Sequence, residues 1–175
     1  MSLQPAALLE RARAVRLAIF DVDGVMTDGT LYIGAQGEAF KAFNILDGHG
    51  MKMLQAAGVA TAIISGRASE AVARRAAELS IAHVVQGSTD KVADFERLIA
   101  AVGVEASACS FVGDDLPDLA IMKRCGLAVA VANAADAVKQ AAHYVTRAGG
   151  GRGAVREFCE LVLHARGQLG FAPAV

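Results

Sequence analysis

Tryptophan is absent from this 175-residue sequence, and tyrosine (two residues), proline (three) and cysteine (three) are scarce. The cysteines, Cys109, Cys125 and Cys159, are odd in number, widely spaced and set among apolar residues. That excludes a disulfide framework and a zinc site, and predicts reduced, buried thiols. The four histidines, His49, His83, His143 and His164, show no metal-ligand spacing either. Charge of one sign is lacking too. Seventeen Lys and Arg against eighteen Asp and Glu leave a net charge of −1, which gives no electrostatic footprint for nucleic acid or an anionic membrane. No apolar run approaches the ~20 residues of a membrane span. The stretch Met1–Arg13 carries Glu10 and no signal-peptide core, so a cytoplasmic protein is expected.

What is present is a 54% hydrophobic composition with only 5% aromatics, the Ala/Val/Leu/Ile/Gly profile common in α/β proteins. The length fits one domain, 1–175, with a full core. Short apolar runs at Val15–Phe20, Val59–Ile64, His83–Val85, Ala108–Val112, Leu127–Val131 and, weakly, Tyr144–Thr146 read as strands. Helices are expected near Gly50–Ala57, Ser69–Leu79, Lys91–Val102, Pro117–Arg124, Ala135–Ala141 and Ala154–Arg166. Nearly all-apolar strands separated by helices indicate a doubly wound parallel sheet covered on both faces. One stretch breaks the alternation. Leu31-Tyr32-Ile33, a Gly34–Gly37 turn and Glu38–Phe43 predict a β-hairpin inserted at about 29–44. Phe171–Val175 reads as a loose end to a C-terminal tail of about 147–175.

Four strand ends carry chemistry. Asp21-Val22-Asp23-Gly24 places two carboxylates two residues apart, which points them roughly the same way. Such a pair repels by about 1 kcal/mol in water and about 4 at an effective dielectric of 20, so it calls for a cation or a shared proton. Ser65-Gly66-Arg67 delivers a hydroxyl and free amides to a helix start, where anions are favoured. Asp90-Lys91 opens a helix with a cation that is unfavourable to the helix dipole and therefore wants an anionic partner. Gly113-Asp114-Asp115-Leu116-Pro117-Asp118 sets three acids around another helix start. Singly, each has a bland reading as a turn, a cap or a solvated charge. Open α/β sheets gather ligands at the carboxyl ends of their strands, however, so the four should converge. Together they offer acids for a hard cation, and a hydroxyl, amides and a lysine for a phosphate.

This arrangement resembles the haloacid dehalogenase superfamily of phosphatases, whose four motifs are matched over nearly the whole chain. The resemblance implies that Asp21 is the nucleophile, forming an aspartyl phosphate, and that Asp23 is the general acid and then base. It implies a Mg²⁺ site of the Asp21 side chain, the Asp23 backbone carbonyl and Asp114, and a phosphoryl clamp of Ser65 and Lys91. Asp115 and Asp118 are expected to support these groups. Only about two dozen residues separate Gly24 from the next predicted helix, too few for the inserted cap domain usual in the superfamily. The hairpin, the segment Lys41–Gly50, Arg67 and Thr146–Glu157 resemble the 3-deoxy-D-manno-octulosonate (KDO) 8-phosphate phosphatase family of lipopolysaccharide precursor synthesis. In that family four hairpins build a central barrel, and a neighbour's C-terminal segment helps to cover each site. Carried over, this implies that Asn44, Ile45, Leu46, Asp47 and Gly48 line the sugar site together with Asp23, Gly66 and Lys91, with Lys52, Arg67 and Arg75 as cations.

Other readings carry less. Hydrolysis of a nine-carbon sugar acid 9-phosphate of the sialic acid type fits the same scaffold, but that branch tends toward glutamate where this chain has Arg67. A signalling receiver domain has an adjacent acidic pair and a middle strand ending in Asp, whereas here the pair is split and that strand ends in Ser65. An idle binding module would be expected to have lost some motif residues. Gly149–Ala154 satisfies G-x-G-x-x-A, yet no βαβ unit follows it, and it reads instead as an anion-contacting or interface loop. The hairpin carries Leu31, Ile33, Phe40 and Phe43, more apolar surface than a free two-stranded ribbon supports in water. A symmetric homo-oligomer, a tetramer by the resemblance, is therefore expected. Light scattering at micromolar concentration should give a multiple of the chain mass; a monomer there would remove this expectation.

Overall fold

The computed structural model describes residues 5–170. Its frame is one six-stranded sheet in the order β5-β4-β1-β6-β7-β8, every neighbouring pair parallel. The strands are β1 (Leu17–Phe20), β4 (Ala60–Ile64), β5 (His83–Val85), β6 (Cys109–Gly113), β7 (Leu127–Ala130) and β8 (Tyr144–Val145). β1, β6 and β7 are buried at every position, as parallel strands covered on both faces must be. A separate antiparallel pair, β2 (Tyr32–Gly34) and β3 (Gly37–Phe40), forms the hairpin. The doubly wound α/β architecture expected from the sequence is the one observed, with the hairpin as its insertion and no cap domain among the described residues.

Helices α1 (Pro5–Ala14), α2 (Ile45–Ala56) and α7 (Ala154–Ala165) pack on one another, with α3 (Glu70–Glu78) beside α2. α4 (Lys91–Val102), α5 (Leu119–Met122) and α6 (Asp136–Ala141) form the other layer. Right-handed crossovers explain the division: the chain steps outward from β1 through β4 to β5, then returns across the sheet to β6 and steps the other way. The reversal falls between β1 and β6, the crevice where open α/β sheets bind ligands.

Three helical stretches differ from expectation. α1 carries few large apolar residues, so its pattern is weak; Leu8 and Ala12 bury it. α2 begins at Ile45 rather than Gly50, because Asn44 caps it, its side chain accepting from Leu46 N and Asp47 N at 2.8 and 3.3 Å. Gly48 and Gly50, poor helix formers, hide that first turn in the sequence. The stretch expected as one helix at Pro117–Arg124 is a 3-10 turn, Leu116–Asp118, running into the short α5. All three cysteines are free and buried, and burial pushes the Cys109 thiol up to about 11. No helix among the described residues is long and apolar enough to cross a membrane. The tail end expected at Phe171–Val175 lies outside the described residues.

α7 is the keystone of its layer. Phe158 is fully buried, and its ring meets Phe20 of β1 edge-on at 5.7 Å, directly beneath the strand end that carries Asp21. Phe158→Ala should therefore destabilise the fold by about 3–5 kcal/mol, read from the midpoint of urea unfolding at unchanged slope. A loss below about 1 kcal/mol would show that α7 does not anchor β1.

Candidate active site

Asp21 leaves β1 at the edge of the crevice, and the chain then turns sharply: the Val22 carbonyl accepts from the amides of Val25, Met26 and Thr27 at 3.2, 2.9 and 3.0 Å. Gly24 sits in this turn at φ +92°, and a Cβ there would fall 2.0 Å from Asp114 Oδ2. Only glycine meets both demands, the left-handed backbone and the approach of the neighbouring acid. The turn is backed by the glycine-rich segment before α7. A Cβ on Gly150 would lie 1.8 Å from the Gly24 carbonyl oxygen, Gly150 N donates to Asn133 Oδ1 at 2.7 Å, and Gly151 N donates to Val25 O at 2.9 Å. The glycine-rich segment, expected as an anion-contacting or interface loop, braces this turn with its backbone and lies outside the cleft lining.

The four strand-end motifs converge on one cleft of about 640 Å³, whose lining includes Asp21, Asp23, Ser65, Gly66, Arg67, Lys91 and Asp114. Lys91 projects into the acids from the first turn of α4, which Asp90 caps by accepting from Val92 N and Ala93 N. Its ammonium lies 3.0 Å from Asp21 Oδ1 and 2.7 Å from Asp118 Oδ1, so the cation that the helix dipole disfavours has its anionic partners. Asp118 turns its other oxygen to the amides of Asp114 and Asp115, at 3.0 and 3.3 Å. Asp115 caps the 3-10 turn by accepting from Leu116 N. Ser65 is buried, and its hydroxyl accepts from Arg67 N at 3.4 Å.

Carboxylates of Asp21, Asp114 and Asp118 approach within 4.8 Å of one another. The crowding anticipated between Asp21 and Asp23 is found here instead, because the turn after Asp21 sends the Asp23 side chain toward the hairpin. Burial, then the Asp118 charge, push the Asp21 carboxyl up to about 6 against the pull of Lys91. Burial, then Asp21 and Asp118, push Asp114 up to about 7. Burial works to lower the Lys91 ammonium, but Asp21 and Asp118 outweigh it and hold it above its ordinary value. Asp114 Oδ1 is buried without a hydrogen-bond partner among the described residues, although buried polar atoms are almost always paired. An orphan oxygen beside two crowded carboxylates fits a hard divalent cation. Asp21 and Asp114 are the side chains free to hold it, since both Asp118 oxygens are taken by Lys91 and by backbone amides.

Several expected substrate residues are not brought into the cleft within one chain. Asn44 caps α2, and Ile45 and Leu46 are 78% and 57% exposed outside the lining. Asp47 is buried, its carboxylate accepting from Arg156 N at 2.8 Å and Gly153 N at 3.3 Å, so it caps α7 and has no free oxygen face for a sugar. Gly48 lies under the Arg75 guanidinium. Arg75 itself pairs with Glu78 at 2.8 Å and reaches the Asn44 carbonyl, while Lys52 is exposed elsewhere on α2. Conversely, the motifs give no hint of Lys41 and Glu38 on the hairpin. Lys41 Nζ meets Asp23 Oδ1 at 2.5 Å and Glu38 Oε2 at 3.0 Å. The Ser69 hydroxyl, ahead of Lys41 and Arg67, holds Glu38 below the usual carboxylate range. The one sequence signal was the Glu38–Lys41 spacing on an otherwise apolar ribbon.

A profile of the haloacid dehalogenase-like hydrolases matches residues 70–154. A KDO 8-phosphate phosphatase of Yersinia pestis is 46% identical over 162 residues, 93% of this chain and 87% of that protein. Among solved structures, a probable YrbI-family phosphatase of Pseudomonas syringae is 52% identical with a TM-score of 0.92, covering 94% of this chain and 93% of its own. A KDO 8-phosphate phosphatase of Moraxella catarrhalis, in complex with a magnesium ion, a phosphate ion and KDO, is 40% identical with a TM-score of 0.89, covering 91% and 92%.

The acid cluster makes a signed prediction for the metal-free protein. Asp114 ionises near pH 4 in the unfolded chain but only near pH 7 in the fold. The folded form therefore binds more protons between those values and loses stability as pH rises through them. In chelator, Asp114→Asn should melt a few degrees above the unsubstituted protein at pH 8, with that advantage shrinking toward pH 5. Parallel melting curves across the range would refute the cluster's electrostatics.

Proposed function

Because the chain belongs to the KDO 8-phosphate phosphatase family of haloacid dehalogenase-like hydrolases, enzymes that cleave phosphoric monoesters, we propose that it hydrolyses KDO 8-phosphate to KDO and phosphate through an aspartyl phosphate on Asp21, with Mg²⁺ as cofactor. The observation that carries the reading is the placement of Asp21, at a strand end 3.0 Å from Lys91 and in the same cleft as Asp23, Ser65 and Asp114.

An Asp21 oxygen attacks phosphorus, the bond from phosphorus to the sugar oxygen breaks, and Asp23 gives that oxygen its proton. Asp23 then takes a proton from water, whose oxygen attacks phosphorus, releasing phosphate and restoring Asp21. Ser65, the Gly66 and Arg67 amides and Lys91 hold the phosphoryl oxygens, where catalysis is mostly positioning and charge neutralisation. A divalent cation held by Asp21, Asp114 and the Asp23 carbonyl supplies further positive charge against the phosphoryl group. Arg67, 47% exposed at the cleft rim, is the cation for the substrate carboxylate, which a guanidinium grips bidentately.

The chain works as one phosphatase domain in lipopolysaccharide precursor synthesis, in the cytoplasm and as a homo-oligomer. Leu31, Ile33 and Phe40 are 44%, 65% and 56% exposed on the hairpin, an apolar surface suited to a second copy. In such an assembly Asn44, Ile45, Leu46, Gly48, Lys52 and Arg75, which lie outside their own cleft, contribute to the sugar site across or beside a subunit boundary.

Phosphate release from a panel of sugar phosphates, with metal and in chelator, tests the substrate and cofactor together. The eight-carbon acid 8-phosphate should be turned over faster than a nine-carbon 9-phosphate, activity should vanish in chelator and return with Mg²⁺, and Asp21→Asn should lose at least about 10³-fold. Normal activity in that variant would overturn the nucleophile assignment.

A further inference from the structure

The two carboxylates of Asp21-Val22-Asp23 live in different surroundings. Asp21 faces Lys91 and the other acids, while Asp23 faces a second cluster built by the hairpin and the loop before α3. Lys41 is at its centre. Its side chain is 2% exposed, and an ammonium so deeply withdrawn from water is stable only with anionic partners. Those partners are Asp23 Oδ1 at 2.5 Å and Glu38 Oε2 at 3.0 Å. Glu38 is itself fixed, accepting from the Ser69 hydroxyl at 2.5 Å and lying 3.4 Å from Arg67 Nη2.

The two oxygens of Asp23 are not equivalent. Oδ1 is bound closely by a buried cation. Among the described residues Oδ2 has only Arg67 Nε at 3.5 Å, from a side chain nearly half exposed. Asp23 and Arg67 line the cleft, whereas Lys41 and Glu38 do not. Lys41 thus acts on the reaction only through Asp23.

We propose that Lys41, held by Glu38, is a positioning residue that anchors Asp23 Oδ1 and leaves Oδ2 as the oxygen that carries the proton. This rests on the reading of Asp23 as acid and base. In the first half-reaction the Asp21–phosphorus bond forms, the bond to the leaving alkoxide breaks, and the proton on Oδ2 passes to the alkoxide. In the second, water gives a proton to the same oxygen as it displaces Asp21 from phosphorus. One oxygen must serve both transfers, and a carboxylate free to rotate presents it only part of the time. Misplacement by about 1 Å is enough to lose about 10²-fold in rate. The hairpin, contributing no cap, here supplies the fixed side chain that orients the proton carrier.

Leaving-group chemistry separates this role from simple support of the fold. An alkyl phosphate needs its alkoxide protonated; p-nitrophenyl phosphate does not, because p-nitrophenolate leaves as the anion. Water activation by Asp23 is needed with both. Lys41→Met should therefore lower kcat on the sugar phosphate about 10- to 100-fold with KM within about threefold. On p-nitrophenyl phosphate it should give a rapid burst of p-nitrophenolate, approaching one per active site, then a slow steady state. Lys41→Arg should restore most of the sugar phosphate rate. Glu38→Gln, which keeps the hairpin's shape, should show the same pattern more weakly and covers the case in which Lys41→Met fails to fold. Asp23→Asn is the control. If Asp23→Asn gives no burst and loses both substrates equally, the acid–base reading itself fails. If Asp23→Asn gives the burst while folded Lys41→Met and Glu38→Gln behave like the unsubstituted protein, or lose both esters equally without a burst, the positioning role is overturned.

Discussion

Negative charge gathered at one edge of a parallel sheet is the constraint that organises this molecule. Asp21 ends β1 and Asp114 ends β6, the strands on either side of the topological reversal. Asp118 joins them within 4.8 Å. Three carboxylates so close and so buried repel strongly unless cations intervene. Lys91 neutralises part of that charge, and the unpaired Asp114 oxygen marks where more positive charge is called for. Gly24 is required because Asp114 presses on it, and Gly150 because the turn containing Gly24 needs a backbone close behind it. The layer of α7, through Phe158, holds the strand on which this charge sits.

The hairpin gives the cleft a second centre of charge, balanced where the first is net negative. Around Asp21 a single lysine faces three acids; around Asp23 a lysine and an arginine face Asp23 and Glu38. Two aspartates separated by one residue then stand in different environments, and environment rather than residue type sets what a carboxylate can do. The division follows from a short insertion. A β-ribbon of a few residues brings Lys41 to Asp23 across 18 positions of sequence.

Much of the framework was legible in the residues. Every predicted sheet strand is present within two residues at each end, because buried parallel strands are written as unbroken apolar runs between turn signals. Helix α4 matches to the residue, since Asp90 caps it and Gly103 closes it in a left-handed conformation. The first turn of α2 was obscured by Gly48 and Gly50, and α1 by its thin apolar face, which only packing against α7 makes useful. The motif acids, Ser65 and Lys91 were readable because each stands directly at a strand or helix end. Asp47 was misleading: its carboxylate looks free in a loop-like sequence, but it satisfies two amides at the start of α7, over 100 residues away.

By itself the sequence determined the alternation of strands and helices and the strand ends at which Asp21, Ser65, Lys91 and Asp114 emerge. Periodicity and chain connectivity are local properties, and they suffice to send those residues to one edge of the sheet. Only the tertiary structure decided which acids crowd which, that Asp118 rather than Asp23 joins Asp21 and Asp114, and that the glycine-rich segment braces the turn after Asp21. It alone gave Asp23 its partners. Those outcomes depend on distances between segments far apart in the chain, set by helix packing and by the direction of one sharp turn, and no residue pattern along the chain encodes them directly.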